Sequence, residues 1–283
     1  MKAVARQIAK VITPQSVVEG AGVRLKRSIA TRMLDYLDPF LLLDHFQSKN
    51  PADYKAGFPL HPHRGIETVT YLLAGAVRHR DTLGNSGEIG AGDIQWMTAG
   101  RGIMHEEMPQ VRPQGVAGFQ LWVNLPAKLK MTPPRYQNIS AHEIPVLRRA
   151  ESASIRVIAG SVEGVVGPIS GIAADPTYLD VELSPRATFI HPVPHGHTAF
   201  AYLFEGAGRF GAEEEMLVAE PRLVVWSDGD SLEVKTEESS ARFLLVSGQP
   251  LGEPIARYGP FVMNTREEIE ETLQELEQGT FAT

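Results

Sequence analysis

From about residue 10 to residue 260 the chain alternates short apolar segments with Gly, Pro, Asn and Asp, the pattern of strands joined by tight turns. "TVTYLLAGAVRHRDTLG" reads as strand, turn, strand, turn, and "GEIGAGDIQWMTAG" and "GVAGFQLWVNLP" continue in that style. Helical periodicity is nearly absent until the end. There Asn264 or Thr265 is placed to cap a helix, Thr265 and Glu268 have capping-box spacing, and Ile269, Leu273 and Leu276 fall on one stripe at i, i+4 and i+7. The Glu-rich remainder of this helix reads as a solvated face. The pattern predicts an all-β chain ending in one short amphipathic helix.

The strand pattern occurs twice. "TVTYLLAGAV" at 68–77 has a loose echo in "AFAYLFEGAG" at 199–208, each after a loop rich in Pro and His, and "GAGDIQWMTAG" is echoed more weakly by "LVVWSDGD". Two tandem β-barrels are therefore expected, 1–145 and 146–283, with the crossover near residue 145 and the helix in the second barrel.

Composition narrows the chemistry. Hydrophobic residues at 43% and charged residues at 22% are ordinary for a globular chain of 283 residues. The sequence has no run of apolar residues long enough to span a bilayer, and its basic N-terminus lacks the apolar core and cleavage site of a signal peptide, so a cytoplasmic protein is expected. With no cysteine, disulfides, thiolate nucleophiles, zinc fingers and iron–sulfur clusters are excluded, and any metal must be held by nitrogen and oxygen. A net charge of −7 disfavours nucleic acid and fits a protein partner better.

Candidate chemistry begins at "HPHRGIE", residues 61–67. On a strand, residues i and i+2 share a face, so His61 and His63 would aim two imidazoles at one point. Forty-two residues after His63, "GRGIMHEEMP" offers a second pair, His105 and Glu107, with Glu106 pointing the other way. Two strands with one pair each close a site of three imidazoles and one carboxylate. That set suits Fe, Ni, Cu, Mn or Zn with open coordination positions, and a closed tetrahedral zinc site is its main rival.

The stretch "HPHRGIETVTYLLAGAVRHRDTLGNSGEIGAGDIQWMTAGRGIMHEEMP" resembles the pirin family of the cupin superfamily, and "GPFVMNTREEIEETLQE" resembles the end of bacterial pirins. The resemblance covers nearly the whole chain and is strongest over 55–125. It implies a bicupin, two cupin barrels, with one mononuclear metal in the N-terminal barrel, most often Fe(II). Its ligands fall on His61, His63, His105 and Glu107. It further implies quercetin 2,3-dioxygenase activity on a flavonol and O2, with Glu107 as the group placed to take the flavonol 3-hydroxyl proton. The alternative it carries is a non-enzymatic, iron-dependent redox regulator acting through protein contacts. No other cofactor, no membrane partner and a monomeric state are expected.

Ordinary cupins carry a glutamate where this chain has Thr68, and Glu67, one residue early, should face away from the metal. The second barrel is expected to be metal-free. His195 and His197 repeat the first spacing, yet His197 precedes Gly206 by nine residues where His63 precedes Gly75 by twelve, and no histidine follows residue 197. Arg64 is read either as a contact to a substrate oxyanion or ligand-orienting carboxylate, or as a surface residue paired with Glu67 or an aspartate. Phe58, Trp96, Met97, Met104, Phe119 and Trp122 are candidates to wall an aromatic ligand or to fill a core. His45, His79, His142 and His191 lack partners at ligand spacing and are read as structural.

Overall fold

The computed structural model describes residues 4–212 and 215–282, and every strand ladder in it is antiparallel apart from isolated bridges. The chain divides into two compact units. One comprises the segment up to Pro14 with His142–Pro250, the other Gln15–Ala141 with Leu251–Thr283. The expected change of unit near residue 145 thus falls at His142, but the linear split does not hold at the ends, where the terminal segments are exchanged. The reason is local. Strand Ile8–Ile12 adds to the edge at Arg222–Trp226, which would otherwise present unpaired backbone groups. The C-terminal helix, Arg266–Glu277, instead packs its stripe beside Phe261 and Met263.

In the unit holding the first histidine motif, a seven-stranded sheet runs Arg135–Ile139, Ile94–Thr98, Ile66–Ala74, Val116–Asn124, Phe40–Ser48, Val23–Ile29, Gln15–Glu19. A four-stranded sheet runs Phe58–His63, Ile103–Pro109, Ala76–Asp81, Ser86–Gly90. The other unit is built on a ten-stranded sheet whose interior is filled by Phe189, Phe210, Trp226, Phe243 and aliphatic neighbours. Two sheet-rich units are what the expected bicupin requires.

The internal repeat is real. Ile66–Ala74 lies between Val116–Asn124 and Ile94–Thr98, and Thr198–Phe210 lies in the same way between Ala241–Gly248 and Arg222–Trp226. Gly75 and Gly206 occupy equivalent places. Both have positive φ, +84° and +77°, and a Cβ would come 2.4 Å from the Gly115 carbonyl at the first and 2.0 Å from the Ser240 carbonyl at the second, each just ahead of the neighbouring strand. The helix is capped as its sequence predicts, with Thr265 accepting from Glu268 N–H at 3.2 Å and Glu268 accepting from Thr265 N–H at 2.9 Å. Among the described residues no helix is long and apolar enough to cross a membrane.

Candidate metal centre

Strands Phe58–His63 and Ile103–Pro109 pair so that His105 lies directly opposite His61 and Ile103 opposite His63. Strand alternation does the rest, turning all three imidazoles to one side. Ring centroids are 4.8 Å apart for His61–His63, 4.5 Å for His61–His105 and 5.1 Å for His63–His105. One ring nitrogen from each histidine lies within 4.8 Å of the others. Glu107 stands outside this tight group. The ladder slips by one residue between His105 and Glu107, so Glu107 pairs with Phe58, and its Oε1 receives the Thr70 hydroxyl at 3.0 Å.

The donor set fits a cation. His61 Nδ1 sits 2.9 Å from the Pro59 carbonyl, which can only accept, so the proton is on Nδ1 and the lone pair on Nε2. That Nε2 faces His63 Nε2 at 3.0 Å. Two nitrogens bound cis to one ion at about 2.1 Å would be separated by about the same distance. Both ring nitrogens of His105 are buried with no hydrogen-bond partner. Buried polar atoms without partners are rare and ask for one. Burial pushes the His105 imidazole down to about 3, with the neighbouring His61 adding to the effect. His63 is also held well below its ordinary value by burial, then by His105 and His61, with the Pro260 carbonyl opposing. Neutral imidazoles with free lone pairs are what a divalent metal requires.

The site opens on a cavity of about 440 Å³. His61, His63, Thr70, Glu107 and Gln120 provide its polar end, while Leu25, Phe46, Phe58, Val77, Val116 and Trp122 give apolar wall. Trp122 meets His63 edge-on at 5.1 Å and carries the Arg257 guanidinium on its face at 5.1 Å. Gln120 Oε1 lies 2.7 Å from Thr70 Oγ1, whose single proton serves Glu107 once the Gln120 amide is turned to donate to that hydroxyl. Arg27 crosses another wall, donating to Asp44 at 2.8 and 2.7 Å and to Glu19 at 2.7 Å.

Of the six wall candidates, Phe58 and Trp122 line the cavity. Trp96, Met97 and Phe119 are fully buried, and Met104 packs against the cluster of Phe261, Ile269 and Phe281. Glu67 accepts from the Thr98 hydroxyl at 2.7 Å, away from the histidines. Arg64 lines neither the cavity nor the surface. It is buried and paired with Glu275 of the C-terminal helix, so it is neither a surface residue nor a cavity contact to a substrate, while the Glu275 side chain stays 40% exposed. His195 is exposed with its Nδ1 3.0 Å from Asp228, and the His197 carbonyl accepts from Arg6 at 2.8 Å. His45 stacks on Phe119 and His191 on Phe189. His79, opposite Glu107 in the ladder, receives the Gln95 amide at 3.0 Å. Thr70, Gln120 and His79 have no signal of their own in the sequence. Only the ladder of Ile66–Ala74 against Val116–Asn124, which puts Thr70 opposite Gln120, reveals the first two.

Two sheet-rich units, one carrying three converging histidines that could hold a metal ion, are the arrangement of a bicupin, and comparison gives the family. Residues 22–123 match the Pirin family and residues 178–282 match the Pirin C-terminal cupin domain, so the chain belongs to the pirins. It is 43% identical over 281 residues, 98% of both chains, to a Pseudomonas aeruginosa protein provisionally named a quercetin 2,3-dioxygenase. It is 42% identical over 259 residues to human pirin, covering 90% of this chain and 87% of that one. The crystal structure of quercetin 2,3-dioxygenase from Acinetobacter baumannii superposes with a TM-score of 0.89 at 34% identity, over 98% of this chain and 99% of that one.

Proposed function

We propose that this pirin is a mononuclear metal dioxygenase that opens the heterocycle of a flavonol with O2. The observation that carries the reading is the convergence of three imidazoles, of which His63 and His105 are buried and held neutral and His105 has both ring nitrogens unpartnered, beside a cavity with aromatic walls. His61, His63 and His105 would hold the metal, with Glu107 as fourth ligand, and Fe(II) is the ion we favour, with Ni, Cu, Mn or Zn possible on this donor set. When bound, the ion supplies a Lewis acid for the flavonol's hydroxyl–carbonyl edge and access to O2.

The protein's own groups account for the rest. Glu107, aimed by the Thr70 hydroxyl, takes the 3-hydroxyl proton as general base. Phe46, Phe58 and Trp122 hold the flat ring system and keep water from it. Two carbon–carbon bonds of the heterocycle break, both atoms of O2 are incorporated, and the central carbon leaves as carbon monoxide beside a depside. The size of the cavity suits one ligand of this class. The similarity to the Acinetobacter baumannii enzyme supports the substrate class.

The test is anaerobic metal analysis, then flavonol, then O2. One equivalent of metal, a flavonol spectrum shifted on binding and carbon monoxide release are expected. Bound metal with no flavonol response would sink the dioxygenase and favour the regulator acting through protein contacts.

A further inference from the structure

Arg64 directly follows the proposed ligand His63, and its side chain is only 4% exposed. Its Nε donates to the Arg101 carbonyl at 2.5 Å, in the turn that leads into the strand bearing His105 and Glu107. Its Nη1 donates to Thr272 Oγ1 at 3.0 Å, and Nη2 pairs with Glu275, both on the C-terminal helix. The guanidinium lies 4.7 Å over the ring of Phe281. The Thr272 hydroxyl spends its own proton on the Glu268 carbonyl at 2.7 Å, which leaves its lone pairs for Arg64. One side chain thus joins both ligand strands to the end of the chain.

The backbone beneath it is fixed in the same way. Val262 N–H donates to the Arg64 carbonyl at 3.1 Å, and Gly65 N–H donates to the Gly100 carbonyl at 2.8 Å. Lys130 Nζ donates to the Gly65 and Val262 carbonyls at 2.9 and 2.8 Å. Gly65 has φ +78°, and a Cβ there would sit 1.9 Å from the Val262 carbonyl oxygen. The Pro260 carbonyl faces the His63 ring itself. For stability alone this is a poor design. An ion pair whose carboxylate is 40% exposed contributes little, and the helix buries only Ile269 and Thr272. What the arrangement does provide is a fixed backbone beside a metal ligand.

We propose that the C-terminal helix, acting through Arg64, holds His63 in register with His105 for metal binding, so that Arg64, Thr272 and Glu275 are positioning residues for the metal centre. This rests on the ligand assignment above. Groups that orient metal ligands typically change metal affinity by about 10–100-fold when removed.

The test uses the full chain, stripped of metal and titrated with nickel(II) against a chromophoric chelator, with the metal-free melting temperature measured beside it. Arg64→Met is expected to weaken nickel binding about 10–100-fold and to speed its release. Arg64→Lys should recover part of the loss, since it restores one donor toward the helix but not the fork that also reaches Arg101. The remote pair Thr272→Val with Glu275→Gln should weaken binding in the same direction at an unchanged metal-free melting temperature. If Arg64→Met does not fold, this remote pair decides. Wild-type nickel affinity in these variants, while His61→Ala loses the metal, would overturn the positioning role and leave the ligand assignment standing. Full retention of nickel by His61→Ala would overturn both.

Discussion

Acid should act on two histidines outside the metal centre, one in each unit. His191 is 3% exposed, and burial, reinforced by Arg149, pushes its imidazole down to about 4. His45 is equally buried, and burial with the nearby Lys26 brings it down to about 3. In the unfolded chain both titrate near 6.5. Between that value and the folded one, the unfolded state binds a proton that the native state refuses, so stability falls as pH falls. The contribution is whole above the unfolded value and is lost progressively below it. At pH 5 each histidine has lost about 1.5 pH units, or about 2 kcal/mol, out of a total stability on the order of 5–15 kcal/mol. Asp44 and Glu67, raised by burial, act in the opposite sense, so the informative quantity is a difference between proteins. Urea unfolding of metal-free wild type, His45→Leu and His191→Leu, followed by circular dichroism from pH 7.5 to 5, isolates it. Each variant is expected to lose about 2 kcal/mol less than wild type over that interval, whatever its stability at pH 7.5. Losses equal to wild type in both variants would refute the claim that these imidazoles stay neutral in the fold.

His61→Ala and His105→Ala should each lose bound metal and activity while keeping the wild-type circular dichroism spectrum, and gross unfolding of either would point to a structural metal instead. Glu107→Gln should retain most of its metal by elemental analysis and yet turn over flavonol at least about 100-fold more slowly, the size of a lost general base; normal turnover would end that role. Trp122→Ala should weaken flavonol binding by about tenfold, the value of one aromatic contact, with metal content unchanged in the same sample.

Much of this was legible in the chain because it rests on period-two alternation. His61, His63 and His105 meet because residues two apart share a face and because two strands pair, which spacing foreshadows. Thr265 and Glu268 cap the helix through contacts three residues apart, and these too are local. What escaped depends on long-range register. The slip between His105 and Glu107 is invisible in "HEEMP", yet it sets Glu107 opposite Phe58 and within reach of the Thr70 hydroxyl. Glu275, 211 residues from Arg64, looks like any other helix-face glutamate until the helix docks. The terminal exchange between units escaped for the same reason, since Ile8–Ile12 has no sequence mark naming Arg222–Trp226 as its edge.

The two units divide the demands of stability and chemistry in a way that follows from their interiors. In the unit around Phe189, Phe210 and Phe243, inward positions go to large apolar side chains that are fully buried, and aromatic pairs such as Phe210–Phe243 at 5.9 Å knit them together. In the unit around His63, some of those positions go to His, Thr, Glu and Gln, and about 440 Å³ stays open beside them. Such an interior forgoes the packing that stabilises a barrel of this size. Rigidity at the metal end must then come from elsewhere, and the structure supplies it from outside the barrel wall. Arg64, Lys130 and the capped helix fasten the ligand strand beside the cluster of Ile66, Ile103 and Val262. Sites held about 1 Å too loosely lose function before they lose fold. The expected consequence is a dissociation of the two properties: substitutions around Phe243 should lower the melting temperature first, and substitutions around Arg64 should lower metal affinity first.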